Sequence, residues 1–181
     1  NGYSGWGSDV SISSAGGTLR NCILTGNGRT NSGANGGAVF CDRAGLVENC
    51  IISNNLAFTG GGIRLGAGGT VRNCVVAMNK ADDKGGGIYI ASGGTVENCT
   101  IVGNEAAFYG GGICAAYKGI VRSTILHLNR ADAGPNFHGM GNWDPVRYSA
   151  YYLAVSNCCS DPLVYGEGNF DDDPQLVSVA A

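Results

Sequence analysis

The chain has 181 residues, enough for one domain with a sizeable core, and a formal net charge of -3 with 14% charged residues. This composition offers no basic stripe for nucleic acid and no polybasic face for anionic lipid, so neither partner is expected. No run approaches the roughly 20 apolar residues that a membrane-spanning helix needs. Because the chain begins at Asn1, we expect a processed protein or a piece of a longer one, located outside the cell or at the cell surface.

One pattern recurs along most of the chain. The hydrophobic residue after each glycine cluster recurs every 24 or 25 residues, at Val39, Ile63, Ile88 and Ile113. Short alternating runs such as residues 88–90 indicate strands with one buried face, and no window carries a helical apolar stripe. A period near 25 residues with short strands and tight corners predicts one rung of a parallel β-helix, so we expect an all-β solenoid of about six to seven rungs.

An asparagine occupies the same place in successive repeats. The five positions are Asn27, Asn55, Asn79, Asn104 and Asn129. In a parallel coil the same position of each rung stacks on the next, so these side chains are predicted to form an amide ladder. Asparagine also tolerates the left-handed backbone of a sharp corner, so we expect the same residues to turn the chain.

A column of cysteines accompanies these asparagines. The dipeptide Asn-Cys places Cys22, Cys50, Cys74 and Cys99 at equivalent positions, and Thr124 follows one period later. Buried cysteine usually serves as a small apolar residue, so we expect free structural thiols, with a redox or metal column as the alternative. The spacing is not that of a zinc site and the chain has only 2 His, so no cofactor is expected.

Three other cysteines suggest a clip for the last rung. The register places Cys114 at the outward position of Arg64 and Tyr89, while Cys158 and Cys159 are adjacent and so point to opposite faces of a strand. Neighbouring rungs bring Cα atoms within the range of a disulfide. A disulfide between Cys114 and Cys158 or Cys159 is therefore predicted.

The repeats also resemble known families. "GGAV" at residues 36–39, "GGGI" in later rungs and units such as Ile52 to Asn55 are similar to the GGA[ILV] and FxxN repeats of polymorphic outer-membrane proteins. The chain more closely resembles secreted right-handed parallel β-helix repeat proteins of environmental bacteria, of the planctomycete and verrucomicrobial type. Their last rung is similar to residues 156–177, preceded by "GPNFHG" at residues 134–139. The resemblance implies a right-handed parallel β-helix at the cell surface and leaves the activity open.

The repeat spacing breaks once. Cys158 stands 34 positions after Thr124, about nine more than a rung needs. We therefore predict a single domain over residues 1–181, with an irregular insertion at about 134–156 and a terminal rung at 156–181. The insertion contains four aromatic residues, Trp143, Tyr148, Tyr151 and Tyr152. These rings are predicted either to cover the flank of the solenoid or to stack on surface glycans.

A catalytic site is not expected. Polysaccharide lyases and hydrolases with this fold need clustered Asp with calcium and an Arg base, or several Asp for acid–base chemistry. Asp82 and Asp132 lie at matching corners, but Ala107 interrupts them in the rung between. His127 and His138 stand in unrelated contexts without a nucleophile beside them. No continuous acidic cleft and no metal site is therefore predicted.

These observations favour a structural or adhesive protein of the cell surface or extracellular matrix. A solenoid exposes unpaired strand edges at both ends unless something covers them, and no capping helix is evident. We therefore expect the chain to stack end to end with copies of itself into a filament. A carbohydrate-binding adhesin and a polysaccharide lyase or hydrolase are the two alternatives.

Overall fold

The computed structural model describes residues 9–13, 15–28, 35–140, 153–164 and 166–174. All regular structure in these ranges is β-strand. In chain order the strands are β1 (Val10–Ile12), β2 (Gly17–Arg20), β3 (Ile23–Thr25), β4 (Val39–Cys41), β5 (Gly45–Glu48), β6 (Ile51–Ser53), β7 (Leu56–Thr59), β8 (Ile63–Arg72), β9 (Val75–Ala77), β10 (Lys80–Lys84), β11 (Ile88–Glu97), β12 (Thr100–Val102), β13 (Glu105–Ala106), β14 (Ile113–Ala115), β15 (Gly119–Arg122), β16 (Ile125–His127), β17 (Phe137–Gly139), β18 (Leu153–Ser156) and β19 (Cys159–Ser160). None of the described residues belongs to a helix that could cross a membrane.

The strands form three parallel sheets that wrap around one core. Sheet A follows the order β1-β4-β8-β11-β14-β17, and its second half adds β2, β5, β15 and β18. Sheet B is β3-β6-β9-β12-β16-β19, and sheet C is β7-β10-β13. The 6 strands of sheet B mark successive levels, so the described chain makes about 5 turns of a parallel β-helix. The predicted all-β solenoid is confirmed, with slightly fewer turns than expected.

The predicted period sets the register of sheet A. Val39, Ile63, Ile88 and Ile113 pair directly with one another across successive rungs. All four side chains are 0% exposed. The apolar residue after each glycine cluster therefore stacks on itself along the core, where β-branched side chains pack well against the pleated surface.

The glycine clusters occupy a corner where the rungs approach each other closely. Gly85, the first of its cluster, has a φ of 68°, which is a left-handed backbone conformation. A Cβ added at Gly86, the second, would lie 2.3 Å from the carbonyl oxygen of Glu105. The turn requires glycine at the first position. The short distance between neighbouring rungs requires it at the second.

The five predicted ladder asparagines lie on successive rungs and are joined by hydrogen bonds. Oδ1 of Asn79 accepts from the main-chain nitrogen of Asn55 at 3.0 Å and from its Nδ2 at 2.9 Å. Nδ2 of Asn79 in turn donates to Oδ1 of Asn104 and to the carbonyl oxygen of Ile52, both at 2.9 Å. In the same way Nδ2 of Asn129 donates to Oδ1 of Asn136, and Nδ2 of Asn136 donates to the carbonyl oxygen of Asp161. The ladder therefore has a sixth member that the period does not predict.

The corner residues are different from the ladder residues, which corrects one expectation. Left-handed backbone occurs at the asparagines of the Asn-Cys dipeptides, namely Asn21, Asn49, Asn73 and Asn98. It also occurs at the residue before each ladder asparagine, namely Gly26, Asn54, Met78, Gly103 and Leu128. The ladder asparagines themselves do not adopt it. A turn one residue earlier directs the ladder side chain inward, so the two properties of asparagine serve separate columns.

The cysteine column is buried and hydrogen-bonded. Cys50, Cys74 and Cys99 are 1%, 2% and 3% exposed, whereas Cys22 is half-buried at the first rung. Each thiol donates to the carbonyl oxygen two residues earlier, as Cys74 does to Arg72 at 3.2 Å. Sγ of Cys74 also accepts from the main-chain nitrogen of Cys50 at 3.4 Å. These cysteines are free thiols that satisfy buried backbone groups as well as fill space.

The predicted insertion is partly regular. Strand β17 pairs with β14, and strand β18 pairs with β15, although both lie within residues 134–156. The last rung is covered by residues 166–170, which we call the C-terminal cap. Phe170 bridges Cys159, and Oδ1 of Asn169 accepts from the main-chain nitrogen of Cys158 at 2.9 Å. The cap supplies partners to strand groups that would otherwise face outward from the end of sheet B.

Candidate functional site

Polar and aromatic side chains gather on the outer face of sheet A. Strand pairing aligns Phe40, Arg64, Tyr89, Cys114 and His138 in one outward column. Sheet C lies beside this column and contributes Thr59, Asp83 and Lys84, and Tyr109 follows in the next corner. We call Arg64, Tyr89, Cys114, His138, Thr59, Asp83, Lys84 and Tyr109 the flank cluster.

Arg64 occupies the centre of the flank cluster. Its Cζ lies 4.9 Å from the centre of the Tyr89 ring, within the range of a cation–π interaction. Its Nη1 donates to Oγ1 of Thr59 at 3.2 Å, whereas its Nε is buried and has no hydrogen-bond partner. No carboxylate of the described residues forms an ion pair with it. Burial lowers the pKa of the Arg64 guanidinium, since desolvation disfavours the charged form.

The other charges of the flank cluster neutralise each other. Nζ of Lys84 lies 3.2 Å from Oδ2 of Asp83, and each side chain is 20% exposed. Burial raises the pKa of Tyr89, although the positive charges of Arg64 and Lys84 oppose this shift. The flank cluster therefore holds one guanidinium without an opposite charge in a protein whose net charge is negative.

Cys114 is not available as a nucleophile. Its side chain is 0% exposed, and burial raises the pKa of the thiol to about 12. The corner glycine covers it, because a Cβ added at Gly110 would lie 2.7 Å from Cβ of Cys114. The thiol stays protonated at neutral pH, and the thiolate is the reactive form.

An aromatic patch borders the cluster. The Tyr109 ring centre lies 4.8 Å from that of His138 and 6.4 Å from that of Phe108. Phe108 is 52% exposed and Tyr109 is 36% exposed. Burial lowers the pKa of His138, so the imidazole is neutral at pH 7 and presents an uncharged ring.

A shallow trench runs across the rungs on the same face of sheet A. It has a volume of about 630 Å³ and is lined by residues 67–70, 93–95 and 118–120. Half of its lining residues are glycines, and Thr70 and Thr95 contribute hydroxyl groups. Lys118 extends across the floor, because a Cβ added at Gly93 would lie 3.7 Å from its Cε. Tyr117, next to Lys118 in the chain, is 67% exposed.

The outer face of sheet A is suited to binding. Hydroxyl groups, exposed rings and unpaired cations are the groups that recognise sugars through hydrogen bonds and stacking. Among the described residues no group of three or more His, Cys, Asp and Glu side chains could hold a metal ion. Hydroxyl groups, exposed rings and the guanidinium of Arg64 are the groups that this face presents to a ligand.

The predicted disulfide is corrected by the structure. All three cysteines are free thiols. Cys114 belongs to sheet A, whereas Cys159 pairs with Ile125 in sheet B, and Cys158 lies in the cysteine column. Sγ of Cys158 donates to the carbonyl oxygen of Ser156 at 3.2 Å, and Sγ of Cys159 to that of Asp172 at 3.0 Å. Cys114 and the Cys158–Cys159 pair therefore lie in different parts of the coil. The C-terminal cap, and not a disulfide, contacts the last rung.

The four residues predicted to cover the flank or contact glycans are not among the described residues. Trp143, Tyr148, Tyr151 and Tyr152 fall outside them, so their role stays a prediction. The exposed aromatic rings among the described residues are Phe108, Tyr109, Tyr117 and Phe170. Sequence reasoning missed the trench and the flank cluster, although a spacing of 24 or 25 residues from Phe40 through Arg64, Tyr89 and Cys114 to His138 could have identified the column.

Comparison with known proteins supports the fold. A family described as the right-handed β-helix region matches residues 3–127, which is more than half of the chain. No curated protein and no solved structure matches the chain. The family match gives the coil its hand, and the parallel sheets give its architecture. The chain belongs to the right-handed β-helix family.

Proposed function

We propose that this protein is a noncatalytic structural and adhesive component of a cell surface or extracellular matrix, and that it binds carbohydrate along the outer face of sheet A. The trench carries the proposal. It crosses three consecutive rungs, so an extended sugar chain can lie parallel to the helix axis and make similar contacts on each rung. Rigid elements hold these contacts in place before binding, which limits the entropy that a ligand must lose.

The side chains around the trench support a carbohydrate ligand. Thr70 and Thr95 are directly paired across neighbouring rungs, so their hydroxyl groups repeat at the spacing of the strands, about 4.8 Å. Tyr117 precedes the trench residue Lys118 in the chain and offers an exposed ring, where stacking on a sugar face is possible without burying a polar group. Together these groups give hydrogen bonds along the chain and one aromatic anchor.

A trench-filling variant tests this proposal. Thr95→Tyr places a ring in the trench, whereas the control Thr100→Tyr places the same ring on the outer face of sheet B. Both proteins are applied to an array of neutral and acidic oligosaccharides after circular dichroism shows an unchanged fold. We expect Thr95→Tyr to lose the glycans that the wild type and Thr100→Tyr retain. An array that the wild-type protein leaves unlabelled would overturn the proposal.

End-to-end assembly stays a prediction, and the described C-terminal end gives it a specific form. The C-terminal cap already pairs with the last strand of sheet B, so a stacking copy would have to displace the cap or contact sheet A alone. Electron microscopy of the isolated protein distinguishes filaments of uniform width from short rods. Short rods at high concentration would exclude the filament and leave the flank as the functional surface.

Catalysis on a polysaccharide is the alternative function, and activity assays test it. The flank cluster brings an arginine, a tyrosine, a lysine and a histidine to one face, which the sequence did not suggest. Incubation with pectin and alginate, followed at the absorbance of unsaturated sugar products and by reducing ends, measures lyase and hydrolase activity. We expect no turnover, because Arg64 is stacked on Tyr89 and Lys84 is paired with Asp83.

A further inference from the structure

Among the described residues, Arg64 is the charged side chain that most clearly lacks a partner. Buried charges in proteins are normally paired and hydrogen-bonded, because an unpaired charge away from water is strongly unfavourable. Arg64 has one hydrogen bond from Nη1, one aromatic face beneath it and a buried Nε without any acceptor. The guanidinium thus has a donor in place that nothing in the described chain satisfies.

The neighbouring charges do not compensate for it. Asp83 is the carboxylate of the flank cluster, and it lies against Lys84. The sum over Arg64, Lys84 and Asp83 is one positive charge, and His138 adds none when it is neutral. An anion that approaches Arg64 therefore meets a net attraction, which the low dielectric of a half-buried site strengthens.

We propose that Arg64 is an anion site that binds the carboxylate of an acidic ligand. The planar guanidinium fork matches a carboxylate in a bidentate geometry that a lysine cannot reproduce. Tyr89 holds the plane of the fork through the stacking contact, and the hydroxyl of Thr59 fixes Nη1. A uronic acid of a polysaccharide and a free small carboxylic acid present the same group, and the experiment separates these two sources.

The site adds to the proposed carbohydrate function but does not depend on it entirely. Arg64 and the trench both belong to strand β8, with the trench beginning at Ala67. A sugar chain in the trench can therefore bring a carboxylate toward the guanidinium, and this part of the inference rests on the proposed function. Binding of a simple carboxylate at Arg64 rests on Arg64 alone.

Melting curves and titration calorimetry test the site. The probes are trigalacturonate, its neutral galactose counterpart, and sodium acetate with sodium chloride as the ionic-strength reference. Trigalacturonate and acetate are expected to raise the wild-type Tm above the chloride reference. Calorimetry is expected to show trigalacturonate binding at least ~10-fold more weakly in Arg64→Met than in wild type.

Two variants separate an anion site from a structural arginine. Arg64→Lys keeps the charge and loses the fork, so an intermediate affinity for trigalacturonate is expected. Arg130→Met removes an exposed arginine beside sheet C and should bind like the wild type. In the absence of probe, Arg64→Met is expected to melt at or above the wild-type temperature, because it removes a half-buried charge that has no ion-pair partner among the described residues.

The binding and melting measurements separate the anion site from the trench proposal. An acetate effect that needs Arg64, with no preference for trigalacturonate, supports the anion site and assigns it to small acids while the trench proposal fails. A trigalacturonate preference lost in both Arg64→Met and Thr95→Tyr supports both proposals. A wild-type protein that no carboxylate stabilises beyond chloride, or an Arg64→Met variant that binds trigalacturonate as the wild type does, would overturn the anion site.

Discussion

Asn79 and Asn104 lie one turn apart and are joined by two hydrogen bonds to a single oxygen. Oδ1 of Asn104 accepts from both the main-chain nitrogen and Nδ2 of Asn79, each at 2.9 Å. The two side chains are 1% and 0% exposed. Each amide oxygen therefore satisfies a backbone donor and a side-chain donor of the preceding rung, which couples neighbouring turns inside the core.

Removing one ladder member should be costly. Asn79→Ala removes four hydrogen bonds, namely those from the nitrogen and Nδ2 of Asn55 and those to the oxygen of Ile52 and Oδ1 of Asn104. Nδ2 of Asn55 keeps the oxygen of Leu24, and Oδ1 of Asn104 keeps the nitrogen of residue 79. At about 0.5–1.5 kcal/mol per hydrogen bond, the free energy of unfolding should fall by roughly 2–6 kcal/mol. Urea denaturation measures the change. Asn54→Gly, at an exposed left-handed position, serves as the control. It should change the free energy of unfolding by only a few tenths of a kcal/mol.

In the cysteine column, a side chain with a hydroxyl group should cost less stability than a hydrocarbon side chain of the same shape. Thr124 already occupies this column, where its Oγ1 accepts from the nitrogen of Cys99 at 3.4 Å and donates to the oxygen of Arg122 at 2.9 Å. Cys74→Thr should therefore keep the hydrogen bonds that Cys74→Val loses. We expect Cys74→Val to be less stable than Cys74→Thr by about 1–3 kcal/mol, although valine has nearly the same shape. Equal stability of the two variants would show that the thiol acts only by filling space.

The glycine corner should reject a methyl group at its closest approach. A Cβ at Gly86 would lie 2.3 Å from the oxygen of Glu105 and 2.4 Å from that of Gly111, both main-chain atoms. Gly86→Ala must therefore move the backbone of two rungs, and we expect a loss of several kcal/mol or failure to fold. Gly26→Asn is the matched control, because nothing lies within 4 Å of an added Cβ there. Thermal melting of both variants is the measurement.

Glu48 should make stability depend on pH. The hydrogen bond from Arg72, followed by that from Arg20, lowers the pKa of the Glu48 carboxyl below its ordinary value of 4.5. The unfolded chain therefore binds the proton first as the pH falls. The stabilisation is fully present above pH 4.5 and is lost as the pH falls below it through the folded-state pKa.

Urea midpoints between neutral and acidic pH test this dependence. Glu48→Gln should be less stable than the wild type at pH 7 and should lose less stability on acidification. The exposed Glu167→Gln should follow the wild-type curve. Parallel curves for Glu48→Gln and the wild type would contradict the assignment.

The core and the register were predictable because they depend on repetition. Val39, Ile63, Ile88 and Ile113 recur at the rung length, and residues at one period must stack in a parallel coil. The ladder residues follow from the same arithmetic. Asn136 could not be found this way, since it follows Asn129 after only 7 residues and enters the ladder from an irregular loop.

The flank cluster combines two periodic columns, but the repeat does not specify which side chains pair within it. The column of Arg64, Tyr89 and His138 runs beside a second column of Thr59, Lys84 and Tyr109, which lie 25 residues apart on successive rungs. Whether Lys84 pairs with Asp83 or with another group depends on side-chain orientation, which the period does not give. Arg64 has no ion-pair partner in the flank cluster because Asp83 pairs with Lys84, and this pairing is known only from the structure.

The closing of the asparagine ladder by Asn136 separates the ends of this molecule from its middle. Every interior ladder asparagine accepts at its amide oxygen from the preceding rung and donates to the amide oxygen of the next one, so one repeat can follow another without any new kind of contact. Duplication or deletion of a whole repeat, such as residues 80–104, would join Asn79 to an equivalent partner and leave the closing loop unchanged. The number of turns can then change by the copying or removal of a single repeat, while the closing contact between Asn129 and Asn136 stays the same.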